Sequence, residues 1–481
     1  MTYTLTFRLK TEKWQEDKLN KRLEIGRNIY NACLREILKR YNTMINSEEY
    51  KQIQQMAKGK ERNKLFNKLN SKYGISEYSL HDYVKPMQHH FKENIDAFTA
   101  QKIATRAYNA FTKYMYHEAD KVYFKKYGEL NSLEGKSNKT GIRFKDKCLI
   151  WNGLIIPVII KKNDIYTHEA LQNKIKYCRI KREMIKGKYH YYIQLVLDGV
   201  PPLKINKQTG EIKNQTTYGK VGIDIGTQTV AISSNYDVKL LELAPEVVNI
   251  DKEIKRIQRY MDRSRRLINP NKYNDDGTIN TQNKDKWIYS NRYLKAKNRY
   301  KELYRKQKEI RRQSHNNLAN FILSLGNEFY VEDMNFKGLQ LRAKETTIND
   351  KTGKYNRKKR FGKSLANKAP SLFLTILNNK LKFQDNKLVK VDTRELKASQ
   401  FNHINEEYNK KKLCQRWNDL NGIKVQRDLY SAFLIQHVND DLKSVNVELC
   451  NKDFDNFLKL HNKEVERLKN IELSKALRNV I

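Results

Sequence analysis

One aspartate constrains the fold of this chain more than any other residue, because it stands inside an apolar run. The run is Val221-Gly-Ile-Asp224-Ile-Gly226, and its composition is typical of a buried β-strand. A carboxylate is costly to bury unless it is paired or binds a metal ion. The glycines on either side would allow a phosphate group to approach closely. Asp224 is therefore the first candidate for a functional site.

Two other acidic residues stand in comparable places. Glu332 follows the strand-like run Phe329-Tyr-Val331 and precedes a second acid, Asp333. Asp428 is predicted in the first turn of a helix over residues 425–439, where the helix dipole favours an anion. Three carboxylates brought together can hold two divalent metal ions, an arrangement that suits phosphodiester hydrolysis.

The charge of the chain points to nucleic acid as a partner. Its 95 lysine and arginine residues against 54 acidic ones give a formal net charge of +41. Such an excess favours phosphate binding through counterion release. The most basic segment is the second of two helices predicted over 249–325, although an ordinary solvated helix face would look similar. Its candidate nucleic-acid-binding residues are Arg292, Lys295, Arg299, Arg305, Lys306, Arg311 and Arg312.

Cysteine use and hydropathy indicate an intracellular protein. The five cysteines form no CxxC pair, which makes a disulfide framework improbable. The N-terminal residues lack the apolar segment of a signal peptide, and no run approaches the length of a membrane span. We therefore expect no membrane association.

The pattern of elements predicts several domains of mixed α+β and α/β class. An opening strand is followed by a helical block and then by a region of short β-strands. After residue 220 the predicted elements are of α/β type. The Pro201-Pro202 pair and the polar stretch 204–220 mark a boundary. Predicted strands are 2–9, 148–151, 154–160, 189–197, 221–225, 230–233 and 388–391; predicted helices include 95–116 and 373–383, and 342–369 reads as a loop.

Together the three acidic motifs resemble those of the split RuvC-like nuclease domain of TnpB proteins and of compact type V CRISPR effectors. The family patterns are Gly-Ile-Asp-x-Gly, Val-Glu-Asp-x-Asn and Arg-Asp-x-Asn-Ala-Ala. Here they correspond to residues 222–226, 331–335 and 427–432, in the same order. The layout before them agrees too, so the resemblance covers nearly the whole chain.

The resemblance implies an RNA-guided DNA endonuclease. Such a protein binds a structured guide RNA and cuts double-stranded DNA beside a short adjacent motif, in the prokaryotic cytoplasm and in association with the nucleoid. Asp224, Glu332 and Asp428 would be catalytic and would coordinate two Mg²⁺ ions. Candidates for reading the adjacent motif are Gln101, Lys102 and Thr105 on the predicted helix 95–116. The alternative interpretation is that these residues belong to an ordinary polar helix surface.

The resemblance also implies a domain plan. A β-barrel-like wedge domain is split between residues 1–13 and 131–205, with a helical recognition domain at 14–130 inserted into it. An RNase H-like (RuvC) α/β nuclease domain begins at 206–396, including the basic helical insertion 249–325. A degenerate lobe that would bind target nucleic acid covers 397–424, and the third motif lies in 425–481.

Two departures from the family pattern concern that lobe and the third motif. The usual four-cysteine zinc ribbon is missing, because His403 and Cys414 alone cannot form a four-ligand site. We therefore predict no structural zinc and expect apolar contacts to hold the lobe. In the third motif, Tyr430 and Ser431 stand where asparagine and alanine are usual, which leaves the carboxylate of Asp428 in place.

Other functions remain open from the sequence. An RNA-guided repressor with weak or no cleavage is the main alternative. A transposase using the same metal chemistry, and a sugar kinase of the actin-like fold whose phosphate hairpin resembles 222–228, are weaker ones. The sequence leaves open whether a guide comes from a transposon or a CRISPR array, its length, the adjacent motif and the oligomeric state.

Overall fold

The computed structural model describes residues 1–206, 208–349, 352–356, 358, 361–412, 415–471 and 474–478. The chain divides into two compact units of mixed α/β structure, Met1–Pro202 and Leu203–Ile481. The division falls at the proline pair, where neither residue can donate a backbone hydrogen bond to a strand or helix.

The first unit combines a helical block with two small sheets. Its helices are α1 (Lys13–Ile45), α2 (Glu48–Gln55), α3 (Lys60–Lys72), α4 (Glu77–His90), α5 (Ala97–Met115) and α6 (Ile165–Ala170). Its strands are β1 (Thr2–Arg8), β2 (Ser132–Glu134), β3 (Arg143–Lys145), β4 (Cys148–Trp151), β5 (Leu154–Pro157), β6 (Ile175–Ile185) and β7 (Lys188–Asp198). The predicted opening strand and the predicted helix at 95–116 are confirmed as β1 and α5.

The sheets of the first unit are open. Strand order is β1-β7-β6-β2 in the larger sheet and β3-β4-β5 in the smaller. Beyond β1, Leu9 pairs with Val158, so the N-terminal strand runs from one sheet to the other. Among the strands that the structure describes, no pairing closes a barrel, which differs from the barrel-like form expected. The sequence analysis also missed β6, one of the two longest strands.

The second unit is built on a five-stranded sheet with helices on both faces. Strand order is β10-β9-β8-β11-β12; β8, β9 and β10 are antiparallel, whereas β8, β11 and β12 are parallel. The strands are β8 (Lys220–Ile225), β9 (Thr229–Ser234), β10 (Val238–Glu242), β11 (Glu328–Glu332) and β12 (Leu388–Val391). The predicted strands at 221–225, 230–233 and 388–391 are confirmed.

The remaining elements of this unit form the insertion, the C-terminal helices and small hairpins. The helices are α7 (Asp251–Ile268), α8 (Asn291–Leu323), α9 (Phe336–Leu339), α10 (Gly362–Lys368), α11 (Pro370–Lys382), α12 (Thr393–Leu396), α13 (Arg427–Gln436), α14 (Val447–Lys469) and α15 (Lys475–Arg478). The short strands are β13 (Phe401–Asn402), β14 (Glu407–Tyr408), β15 (Trp417–Leu420) and β16 (Ile423–Gln426).

Each face of the sheet has its own apolar core. On one face Ile223, Ile225 and Phe329 pack with residues of α8 and α11. On the other face Ala231 and Leu240 pack with residues of α13 and α14. Burial on both faces explains why the strands of this unit read as nearly continuous apolar runs.

Two predicted boundaries in this unit are wrong. The helix expected over 425–439 begins at Arg427, because Ile423–Gln426 forms strand β16 paired with β15. The segment 342–369, expected to be a loop, contains helix α10, whose residue Leu365 is buried. In both cases a contact distant in sequence decides the local structure.

Candidate active site

Two of the three acids lie on neighbouring strands at the same level of the sheet. Ile223 of β8 is the register partner of Val331 of β11. Because the strands are parallel, the next residues, Asp224 and Glu332, stand side by side. Glu332 is the last residue of β11, so both carboxylates lie near the carboxyl ends of these strands.

Helix α13 brings the third acid to the same place. A Cβ atom built on Gly222 would overlap the carbonyl oxygen of Ala432 and the backbone nitrogen of Gln436, so strand and helix touch through backbone alone. From Gly222 to Asp224 the strand advances about 6.6 Å, and from Ala432 back to Asp428 the helix covers about 6 Å. Asp428 thereby comes close enough to Asp224 for its negative charge to raise the pKa of Asp224. Gly222 serves helix packing and not the phosphate approach that its sequence suggested.

The first turn of α13 is fixed by hydrogen bonds from three directions. The side chain of Gln426 accepts from the backbone N–H of Leu429 at 2.7 Å. The N–H of Gln426 donates to Nε2 of His461 at 2.9 Å, and the N–H of Arg427 donates to the carbonyl oxygen of Arg416 at 2.8 Å. The backbone that carries Asp428 is therefore held on both sides of the residue.

All three acids line one cavity of about 1060 Å³. The turn between β8 and β9 forms part of its wall, including Gly226 and Gln228. The same cavity is lined by a set of cationic residues: Lys410, Lys411, Arg416, Arg427 and Arg478. The site thus combines an acidic centre, able to hold a cation, with positive charge able to attract an anion such as a phosphate.

The electrostatics of the acidic centre favour a bound cation. Burial, followed by the negative charges of Glu332 and Asp428, raises the pKa of Asp224 well above its ordinary value. Burial also raises the pKa of Glu332 to about 7. Arg427 acts in the opposite direction and lowers the pKa of Asp224. Without a further cation, the ionised carboxylates repel one another in a poorly solvated place.

The donor chemistry of the cavity fits a hard divalent cation. Magnesium is bound in proteins through carboxylate oxygens, commonly with several water molecules retained. Within the described part of the chain, no three histidine, cysteine, aspartate or glutamate side chains are already spaced to ligate one ion together. The three acids therefore share a cavity without forming a closed coordination cage.

Asp333, the acid next to Glu332, points elsewhere. Its side chain is 59% exposed and forms an ion pair with Lys390 at 2.6 Å. Asp333 is not among the residues that line the cavity. Successive side chains of an extended chain point to opposite sides, so only the carboxylate of Glu332 faces the cavity.

The basic residues predicted on α8 fall into two groups. Arg292, Lys295, Arg299, Lys306 and Arg312 are exposed. Arg299 pairs with Glu253 at 2.6 Å, and Arg305, only partly exposed, pairs with Glu302 at 2.7 Å. Arg311 donates to the carbonyl oxygen of Ala366 at 2.6 Å, and burial lowers its pKa. Arg311 thus has a structural contact, and Arg299 and Arg305 are held in ion pairs. The residues best placed to meet a phosphate backbone are Arg292, Lys295, Lys306 and Arg312.

The three candidates for reading a DNA motif lie on α5 and already have partners. Gln101 accepts a hydrogen bond from Lys136 at 3.4 Å. The ammonium of Lys102 lies 3.5 Å from Glu134. Thr105 donates to a glutamate of α4 at 2.6 Å. Lys102 and Thr105 also line a second cavity, of about 580 Å³, within the first unit.

The lobe at 397–424 is held to α13 and α14 by apolar, aromatic and polar contacts. Its residues Ala398, Phe401 and Leu420 belong to the apolar core of these helices, as expected from the sequence. His403 is 1% exposed, and its ring packs 4.7 Å from that of Phe454. Its backbone N–H donates to the hydroxyl oxygen of Tyr430 at 3.1 Å. Cys414, the other residue considered as a remnant zinc ligand, lies outside the described residues. Tyr430 faces this interior contact and does not line the cavity of the acids.

Several cavity residues were missed by the sequence analysis. Lys410, Lys411, Arg416 and Arg427 line the cavity, although only Arg427 adjoins a recognised acid in sequence. The other three sit in a basic, irregular stretch with no motif of its own. Only the packing of the lobe against α13 brings them to the acids.

No described helix is both long enough and apolar enough to cross a membrane.

The chain was compared with known families, curated proteins and solved structures. No family model and no curated protein matches it. Among solved structures it is similar to Cas12f1 in a complex with sgRNA and target DNA, at 10% identity and a TM-score of 0.40, over 92% of this chain and 99% of that one. It is also similar to a CRISPR-Cas12f ternary complex, at 13% identity and a TM-score of 0.27, over 90% and 83%.

Proposed function

We propose that this protein is an RNA-guided DNA endonuclease whose nuclease centre contains Asp224, Glu332 and Asp428. The observation that carries the proposal is the meeting of the three acids in one cavity. They come from β8, β11 and α13, elements separated by about a hundred residues along the chain. The sheet order and strand directions are those expected of an RNase H-like domain, which supports a nuclease of the RuvC type.

The three carboxylates would hold two Mg²⁺ ions. When bound, such ions supply an activated water and stabilise the oxygen that leaves the phosphorus. The protein side chains position the substrate: the cations that line the cavity, including Lys410 and Arg416, attract a phosphodiester strand toward the acids. The backbone contacts of Gln426 and Arg427 keep Asp428 in place while the strand binds.

The partners proposed are a guide RNA and a double-stranded DNA target. The net charge of +41 supports binding of a long nucleic acid, and the exposed residues of α8 are candidates for phosphate contacts. Gln101, Lys102 and Thr105 remain candidates for reading the adjacent motif. The three motifs resemble TnpB proteins and type V effectors alike, so both sources of guide remain within the proposal.

The first experiment sequences the RNA that co-purifies with the protein expressed with its native flanking DNA. A dominant RNA with a constant folded part and a variable end supports guided function. That RNA then programs a cleavage assay on a matched DNA duplex with Mg²⁺. Asp224→Ala should abolish cutting and keep RNA binding, whereas Asp333→Ala, which removes an exposed acid next to Glu332, should cut at the wild-type rate.

The departures from the motif pattern, Tyr430 and Ser431 beside Asp428 and the missing zinc ribbon, favour a second candidate, an RNA-guided DNA-binding repressor. A repressor would bind its matched duplex with the guide and leave it intact in Mg²⁺ or Mn²⁺, and Asp224→Ala would leave its behaviour unchanged. Cutting of the duplex that depends on Asp224 excludes this candidate.

A further inference from the structure

Arg427 binds the carboxylate that the metal would need. Its Nε lies 3.2 Å from Oδ1 of Asp428, the next residue in the chain. The two side chains are only 12% and 18% exposed, so the pair is partly removed from water. Adjacent residues on a helix point about 100° apart, so the arginine must turn toward its neighbour to make this contact.

A second hydrogen bond holds the guanidinium in this position. Nη1 of Arg427 donates to the carbonyl oxygen of Gln415 at 3.2 Å. The backbone N–H of Arg427 also donates to the carbonyl oxygen of Arg416. The 397–424 lobe therefore fixes both the main chain and the side chain of Arg427. A rigid fork with two such anchors is what a guanidinium provides and an ammonium does not.

The position of this charge has an electrostatic consequence. Arg427 lines the same cavity as the acids and is the cation that lowers the pKa of Asp224. It thus neutralises part of the negative charge of the metal-free centre. A divalent cation that binds there meets a positive charge already in contact with one of its ligands, and the two compete for Asp428.

We infer that Arg427 is a built-in counterion that occupies Asp428 in the metal-free protein and opposes metal binding, so that it sets the metal concentration at which the site becomes active. It is a positioning residue and not a catalytic one. The inference rests on the proposed nuclease function and adds to that function a means of regulating the same site. Through Gln415, the lobe would control how firmly Arg427 stays on Asp428.

The competition predicts that removing the positive charge improves metal affinity while harming turnover. In the full-length protein, Arg427→Gln should bind Mn²⁺ about tenfold more tightly, because a close, partly desolvated charge is removed. A merely structural role predicts unchanged or weaker binding. In guided cleavage, the metal concentration for half-maximal rate should fall, and the maximal rate should fall too, because Asp428 loses its orienting partner.

The test titrates Mn²⁺ into the metal-free full-length chain and follows the free ion by electron paramagnetic resonance. Arg416→Gln is the matched control, since it removes a cation of the same cavity whose side chain is not paired with Asp428 in this structure; its affinity should change by less than about threefold. Arg427→Lys keeps the charge but cannot reproduce both anchors, and should tighten binding by about threefold. That variant carries the test if Arg427→Gln does not fold.

The outcomes separate the two proposals. Wild-type or weaker Mn²⁺ affinity in the Arg427 variants overturns the counterion role and leaves the nuclease site standing, provided that wild-type binding is lost in Asp224→Ala. Absence of any Asp224-dependent binding in the wild-type chain overturns both. Tighter binding in Arg427→Gln and not in Arg416→Gln supports the inference.

Discussion

The hydroxyl oxygen of Tyr430 lies 2.6 Å from Nδ1 of His403, and both residues are buried. Each stands where the chain departs from the proteins that its motifs resemble: His403 in the lobe without a zinc ribbon, Tyr430 at a position where those proteins usually have asparagine. Burial lowers the pKa of His403 to about 4, so the imidazole is neutral at physiological pH. The two departures are thus one contact, which joins the lobe to the helix of Asp428.

Tyr430→Phe should weaken the second unit without removing cleavage. The substitution leaves the buried N–H and Nδ1 of His403 without their partner, which typically costs about 1–3 kcal/mol. Chemical denaturation measures the loss, with Tyr408→Phe, a tyrosine that is 49% exposed, as the control. Equal stability of Tyr430→Phe and the wild type would show that the contact between His403 and Tyr430 does not help to hold the lobe. Elemental analysis of the same preparations tests the separate prediction that the protein contains no stoichiometric zinc.

Metal-free protein should lose stability as the pH rises from about 4.5 to about 7. A carboxyl whose pKa is raised on folding holds its proton more tightly in the folded state than in the unfolded one, so the free energy of unfolding falls across that interval. For Glu332, with a pKa raised to about 7, the loss is at most about 3 kcal/mol. Thermal unfolding at pH 5 and pH 8 in EDTA measures it.

Glu332→Gln supplies the control for this pH effect. It should flatten the pH dependence and be more stable than the wild type at pH 8 in EDTA, and Mg²⁺ should stabilise the wild type more than the variant. A wild-type stability that rises between pH 5 and pH 8 in EDTA would contradict the assigned direction of the shift.

Gly222→Ala should displace the helix that carries Asp428. Its Cβ would meet the backbone of Ala432 and Gln436, which cannot give way as a flexible side chain does. Overpacking of this kind costs about 1–3 kcal/mol. Gly226→Ala is the control for thermal stability, because its Cβ would come no closer than 3.4 Å to Thr229. A Gly222→Ala protein as stable as the control would disprove the close packing.

The basic residues of α8 should separate into binding and structural roles. Lys306→Gln with Arg312→Gln, both exposed, should weaken binding to the guide RNA. If each residue contacts one phosphate, the slope of log affinity against log salt should fall by about 1.4 for single-stranded and about 1.8 for duplex parts of the RNA. Arg311→Gln should instead lower stability, because it removes the hydrogen bond to Ala366. Filter binding across salt concentrations, alongside thermal unfolding, distinguishes the two. An unchanged slope in the double variant would remove α8 from the interface.

The sequence was most informative where local pattern and tertiary environment agree. Strands β8 and β9 on either side of Gly226 were predicted because both are buried and largely apolar. Strand β6 was missed because basic residues alternate with its apolar ones, and only pairing with β7 identifies it. The start of α13 was misplaced because Val425 suits a helix as well as a strand, and β15 decides between them. Arg427 was recognised as part of the third motif, but its hydrogen bond to the carbonyl oxygen of Gln415 depends on the tertiary structure.

The placement of two consecutive acids at the end of β11 makes the site sensitive to the length of the chain. Glu332 faces the cavity, and Asp333 pairs with Lys390 outside it. Deleting one residue from β11 would move Asp333 into the place of Glu332, presenting a side chain one methylene shorter to the cavity, and would move Glu332 into the buried place of Val331. An insertion or deletion in β11 would thus abolish cleavage although all the acids are still present in the sequence. Judged by its motif residues alone, a protein with such a change would still be classed as a nuclease.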